Sequence, residues 1–261
     1  YDSSDSEFKY RYQAYGSAWI TANSLNTARN NIAGATSGTQ TASLAFGGFV
    51  PPHTGATESY NGTNWTEVND MNTARNNAGG AGTQTSALTF GGGSPDYDST
   101  ELWNGTNWTE VNNLNTGRDG IASGVGVSTA ALAFGGNSDP SPLTELAVTE
   151  TWNGSNWTDV ADLNVARKGL AGAGTNTAAL AMGGRTPSVV GTTETWNGSI
   201  WSTTATMNLV QSLNSGAGTN TAAITFGGYD GSSPGNVATT QEFNAGINLG
   251  AWYTGGNMNT G

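Results

Sequence analysis

No cysteine occurs among the 261 residues, and histidine occurs once, as His53. Disulfides, thiolate nucleophiles, sulfur-ligated metals and histidine clusters are thereby excluded. Cations are scarce as well: eight lysines and arginines stand against 19 acids, a formal charge of −11. A surface of that sign repels nucleic acid and anionic membrane, so neither is expected as a partner. No apolar run reaches the length of a transmembrane helix. The opening YDSSDSEFKYRY lacks the apolar segment of a signal peptide and does not begin with methionine, so the chain reads as a processed or fragmentary piece. Apolar residues make up only 35%, low for a globular core, yet nine tryptophans and regular apolar spacing argue against disorder. What the chain has in excess is glycine, 39 residues or about twice the usual share.

The excess is organised. ESYNGTNWTEVNDMNTAR at 58–75 returns as ELWNGTNWTEVNNLNTGR at 101–118, and three markers recur in fixed order along the chain. An arginine closes an Asn-containing pentad at Arg29, Arg75, Arg118 and Arg167, with Gln211 in the fifth place. A small-residue strand then ends in a glycine pair: Gly47–Gly48, Gly91–Gly92, Gly135–Gly136, Gly183–Gly184 and Gly227–Gly228. An aromatic hairpin follows, with Trp65, Trp108, Trp157, Trp201 and Trp252 on its returning strand; Trp19 stands ahead of the first full unit. The glycine pairs lie 44, 44, 48 and 44 residues apart, and the variable length falls between each pair and the next aromatic strand. Full units therefore span about 29–71, 75–114, 118–163, 167–207 and 211–258, with residues 8–25 an extra outer strand pair.

Within TAALAFGG the period is two: Ala131 and Ala133 point one way, Leu132 and Phe134 the other. Tiny residues let a neighbouring sheet approach, and the glycine pair supplies backbone angles that other residues avoid. Asn-Gly then predicts a hairpin. Four short strands per unit of some 44 residues, without helical spacing, describe a propeller blade whose two apolar faces are buried only against its neighbours. The fold class is thus all-β, a propeller of four-stranded antiparallel blades in one domain. Five inner strand pairs against six outer ones favour five blades and leave six open. Five blades close if an N-terminal outer strand completes the blade begun near Gln211. The tryptophans are expected between adjacent blades.

Arginine, a strand closing on Gly-Gly, an aromatic (Tyr60, Trp103, Trp152, Trp196, Phe243) and a tryptophan a few residues on: this order resembles the kelch repeat. The resemblance covers roughly residues 8–261 and implies four-stranded blades with the glycine pair ending the second strand. Gln211 departs from it and implies an altered blade contact in the fifth unit. The Asn/Thr/Gly-rich wording also resembles kelch-like structural or tail-fibre proteins of tailed bacteriophages. That likeness implies a virion or extracellular location, a role in host attachment and no cofactor.

Catalysis finds little support. The copper site of galactose-oxidase-type kelch propellers needs a cysteine crosslink, and His53 sits in a variable loop where solvent exposure is expected. Glu101, Glu150, Glu194 and Glu242 recur on separate blades, too far apart for the paired carboxylates of a glycosidase, and read as structural or solvated groups. Asp96 and Asp98 offer hard oxygens to calcium without the regular spacing of a dedicated loop, so turn-forming acids are the plainer reading. Asn64, Asn107 and Asn156 match glycosylation acceptors in form, and recur because the unit recurs. The loops 48–57, 92–99, 136–148, 184–192 and 228–239 leave one edge of the ring and form its natural specificity surface. Several weak sites on a rigid ring gain by effective concentration. Cell-surface glycan is therefore the expected partner of a non-enzymatic attachment module, and neighbouring virion proteins are the alternative partner of a purely structural one.

Overall fold

Strict alternation of small and large residues gives strands, and the computed structural model, which describes residues 22–93, 96–121, 125–138, 144–233, 235–245 and 251–254, arranges them as a propeller. Five four-stranded antiparallel meanders follow in chain order. Blade 1 uses Ala33–Gly34, Ser43–Phe46, Thr57–Tyr60 and Trp65–Val68. Blade 2 uses Gly79–Thr83, Ser86–Phe90, Thr100–Trp103 and Trp108–Val111. Blade 3 takes Val125–Val127, Ala130–Phe134, Thr149–Trp152 and Trp157–Asp159. Blade 4 takes Ala171–Thr175, Ala178–Met182, Thr193–Trp196 and Trp201–Thr203. Blade 5 takes Ser215–Gly218, Ala222–Phe226, Thr240–Asn244 and Ala251–Thr254. The blade begun near Gln211 is thus completed by its own Ala251–Thr254, which pairs Trp252 with Phe243, and not by an N-terminal strand. The outer pair expected over 8–25, Trp19 included, lies largely outside the described residues.

Each glycine pair ends the second strand in a conformation closed to side chains. Gly91 and Gly92 have φ of 63° and 99°, and a Cβ on Gly91 would lie 2.7 Å from the Arg118 carbonyl. The Asn-Gly hairpins form with a longer loop than a two-residue turn. Tyr60 pairs with Trp65, and the Asn61 Oδ1 accepts the amides of Thr63 and Asn64 at 2.9 Å each. On this rim the asparagines of the Asn-Trp-Thr triplets tie blades together: Asn69 Nδ2 donates to Asn107 Oδ1, and Asn112 Nδ2 to Asn156 Oδ1, both at 2.7 Å.

The core is a series of seams between blades. Leu88 and Phe90 of blade 2 meet Ala131, Ala133, Trp152 and Trp157 of blade 3, all buried. Blades 1–2, 3–4 and 4–5 repeat the arrangement. Phe46, Phe90 and Phe134 lie 5.0, 4.9 and 5.0 Å from Trp108, Trp157 and Trp201 of the following blade. The same indoles donate Nε1–H to Thr57, Thr100 and Thr149 Oγ1 at 3.0, 3.1 and 3.0 Å, so each apolar body is buried with its polar tip satisfied. Among the described residues blade 5 and blade 1 form no such seam. Ile224, Phe226 and Trp65 stay half-buried, Ala217 is exposed, and the ring contact of Trp65 is with Tyr60 of its own blade. Trp65, expected between blades, has no facing phenylalanine ring among the described residues. Trp157→Ala should cost about 3–5 kcal/mol, and Trp65→Ala only roughly 1–2 kcal/mol, since less area leaves water on folding. Urea unfolding of both variants checks the contrast; equal losses would contradict the open seam.

Where the chain crosses between blades, a buried carboxylate holds it. Glu101 of blade 2 accepts the Asn72 amide at 2.8 Å, the Asn72 side chain at 2.9 Å and the Thr73 amide at 3.1 Å, and pairs with Arg75. Glu58–Arg29, Glu150–Arg118 and Glu194–Arg167 do the same for the crossovers entering blades 1, 3 and 4. All four pairs are essentially without solvent contact. Burial loosens the hold of Arg118 and Arg167 on their protons, and Glu150 and Glu194 pull the other way. The recurrent acids are structural, with a correction in the fifth unit: Glu242 is exposed, and Gln241 occupies the buried position. There Gln241 Nε2 donates to Gln211 Oε1 at 2.7 Å, and Gln211 Nε2 reaches the Gly227 and Thr239 carbonyls. Arg75 bonds the equivalent carbonyls of Gly91 and Ser99. The fifth unit has therefore exchanged an ion pair for an amide pair on the same scaffold. Glu150→Gln alone should lose about 3–5 kcal/mol by stranding a buried guanidinium. Adding Arg118→Gln should restore most of it, read as the denaturation midpoint of the double variant against the single one.

Candidate binding site

Two residues after each clasp residue the chain turns into the channel with a left-handed backbone. Asn31, Asn77, Gly120, Gly169 and Leu213 have φ of 52°, 53°, 58°, 60° and 55°. They form a collar, and successive members bond: Asn77 N–H to Asn31 O at 3.1 Å, Gly169 N–H to Gly120 O at 3.0 Å, and Leu213 N–H to Gly169 O at 2.6 Å. Inside the collar lies a channel cavity of about 490 Å³ along the inner strands, reaching the buried Leu44 and Ala45 and the half-buried Trp65 of blade 1. Outside it lies a second cavity of about 310 Å³, the channel mouth.

The meander puts the blade crossovers and the loops that follow the glycine pairs on one rim, so both families of segments surround the mouth. One residue from each crossover meets the residue after each glycine pair. The couples are Asn30 with Phe49, Asn76 with Gly93, Asp119 with Asn137, Lys168 with Arg185, and Ser212 with Tyr229. Behind them the blade residues repeat as Leu44, Leu88, Leu132, Leu180 and Ile224, or Phe46, Phe90, Phe134, Met182 and Phe226. The frame is nearly constant and the mouth is different at every blade. Asp119, Asn137, Lys168, Arg185, Ser212 and Tyr229 line the outer cavity, a set able to hydrogen-bond hydroxyls and stack a ring but without an arranged nucleophile and base.

The residues singled out in the sequence fall mainly outside this mouth. The tryptophans, arginines and glycine pairs build the seams and clasps. Asp96 and Asp98 sit in a turn where the Ser99 amide bonds the Asp96 carbonyl, and among the described residues no group of three or more His, Asp or Glu could hold a metal ion. His53 is only half-exposed, its ring 5.6 Å from Phe49 and its Nδ1 buried, which corrects the expectation of a solvent-facing histidine. In the last variable loop the exposed Asp230 carboxylate is held below its usual range by hydrogen bonds from the Ser232 hydroxyl and amide. Lys168, Arg185, Ser212 and Tyr229 went unmarked because each couple is 17 residues apart in sequence and only the fold joins it. Their signal was present as departure from the repeat.

No protein-family model matches the chain, and no curated protein is detectably similar to it. The five four-stranded blades, with the glycine pair ending each second strand, are consistent with the kelch-type propellers.

Leu213 is the anomaly of the collar. A leucine in the left-handed region costs about 1–2 kcal/mol, yet its side chain is 72% exposed and covers Gly169. Leu213→Gly should raise stability by about 1 kcal/mol, whereas Leu213→Ala, with the same backbone strain, should not. Thermal unfolding of the two variants separates the outcomes, and a loss on Leu213→Gly would mean that its packing outweighs the strain.

Proposed function

We propose that this protein is a non-enzymatic attachment module, a propeller displayed on a virion surface or tail fibre, whose channel mouth holds a sugar unit of a host-surface glycan. The observation that carries the reading is the contrast between a constant frame and a mouth that changes at every blade. A purely architectural ring has no need of five different couples at one rim. A cavity of about 310 Å³ suits a single small ring, being at the small end of the roughly 300–1,000 Å³ usual for ligand sites. Amides, hydroxyls and Tyr229 match the hydroxyls and apolar face of a saccharide. The virion placement rests on the Asn/Thr/Gly-rich repeat wording alone.

A second reading, a structural or protein-binding propeller, draws on the uncovered faces of blades 5 and 1. Ile224, Phe226 and Trp65 there offer what the other seams bury against a sheet of small residues and tryptophan, so a neighbouring protein would have to present such a sheet. Screening the intact chain on a glycan array and on host cells separates the two. Under the attachment reading the chain binds a defined set of saccharides, and Tyr229→Ala weakens that binding by about tenfold or more, a typical loss for a central aromatic. Binding to neither surface would sink the attachment reading and leave the protein-binding one.

A further inference from the structure

The chain has eight cationic side chains, and most are committed. Arg29, Arg75, Arg118 and Arg167 are locked in buried pairs. Lys9 and Arg11 lie outside the described residues. The remaining two, Lys168 and Arg185, stand directly opposite each other at the channel mouth. Their backbones exchange both bonds, Lys168 N–H to Arg185 O at 3.1 Å and Arg185 N–H to Lys168 O at 2.9 Å. Residues paired in this way project to the same face, and like charges so placed repel.

The repulsion is only partly relieved within the protein. Glu145 Oε1 lies 3.5 Å from Lys168 Nζ, and both side chains keep about a quarter of their surface in water. Arg185 Nε donates to the Pro187 carbonyl at 2.8 Å, which fixes the stem of the guanidinium. Its two Nη groups bond no acceptor among the described residues, and the residue is exposed. On a molecule of net charge −11, two adjacent cations at the wall of one cavity, Lys168 paired with Glu145 and Arg185 without an acid partner among the described residues, are a local concentration of positive charge. Around them stand Ser212 and Tyr229, which donate or accept, and Asp119, which accepts and repels a bare anion. That combination favours an anionic group carried on a ring whose hydroxyls Ser212 and Tyr229 can bind.

We infer that Lys168 and Arg185 form an anion subsite of the channel mouth, and that its ligand is an acidic sugar, a carboxylate or sulfate ester on a polyhydroxylated ring. The inference rests on the glycan reading above and adds the charge of the ligand. Charge-assisted bonds from a guanidinium and an ammonium to one oxyanion distinguish such a sugar from its neutral analogue.

The intact protein titrated with glucuronic acid, glucose and inorganic sulfate, followed by amide chemical shifts, tests this. Glucuronic acid should bind about tenfold or more tighter than glucose, as charged hydrogen bonds allow, and the preference should shrink as salt is raised. Lys168→Met with Arg185→Met should abolish the preference, bringing glucuronic acid down to whatever affinity the variant keeps for glucose. Equal binding of glucuronic acid and glucose by the parent would overturn the anion subsite and leave the glycan reading standing. Sulfate binding as tightly as the acidic sugar would overturn the sugar as ligand. Binding of none of the three, together with a blank glycan array, would overturn both.

Discussion

A buried carboxylate at the entry to each of blades 1 to 4, replaced by a buried amide at blade 5, is the contact on which the ring depends. Glu58, Glu101, Glu150 and Glu194 each take an arginine and the amides of the crossover that enters their blade. The carboxylate belongs to the third strand of one blade, and for Glu101, Glu150 and Glu194 the amides belong to chain leaving the blade before it. Breaking the bond would strand a charge in the seam and free the crossover at once. A removal of that kind is far more costly than the pair is stabilising, so neither partner can change alone. The fifth unit bears this out in covalent terms: Gln211 and Gln241 have changed together, and the amide pair still bonds the carbonyls used elsewhere by arginine. The clasp fixes where the next inner strand begins, and through it the collar and the mouth.

Packing between blades is set by the same positions at one remove. Thr57, Thr100 and Thr149 precede the clasping glutamates, and each accepts the indole N–H of the tryptophan that enters from the following blade. Successive residues of one strand thus serve the preceding crossover and the following seam. Stability in such an array is a sum of blade and seam terms between neighbours. With no tryptophan seam between blade 5 and blade 1 among the described residues, the end blades have fewer such terms than the middle ones. The burial follows this gradient: Leu88, Leu132 and Leu180 are inaccessible, while Ile224 is half-buried.

The repeat made the blade legible from sequence, because period, alternation and glycine pairs are local properties of the chain. Arg75 and Glu101 were both visible as recurrent residues, but their bond joins positions 26 apart and needs the fold. Glu242 was misplaced for a related reason. In strand 240–244 a buried and an exposed residue alternate, so choosing the acid over its glutamine neighbour shifts the register by one and turns it to the other face. Spacing from Trp252 could not expose that error, since the loop before it differs from the other hairpins. The left-handed collar left a trace in Gly120 and Gly169 alone; Asn31, Asn77 and Leu213 adopt the same angles without announcing them.

The mouth was the least legible part, and the reason bears on how such a protein acquires a ligand. Everything the repeat must keep lies in the seams and clasps, where one altered residue strands a charge or opens a cavity. The residue after the glycine pair and the residue after the clasp are held to each other by their backbones, through couples such as Lys168 with Arg185 and Ser212 with Tyr229. Five such couples stand around one collar and can diverge at little cost to the fold, and three of them, Asp119 with Asn137, Lys168 with Arg185 and Ser212 with Tyr229, add their groups to one cavity. Chemistry in the seams is constrained by the ring, whereas under the proposed glycan reading chemistry at that rim would answer to the ligand. A like-charged couple there, which the backbone tolerates and the electrostatics oppose, is intelligible when an outside anion completes it.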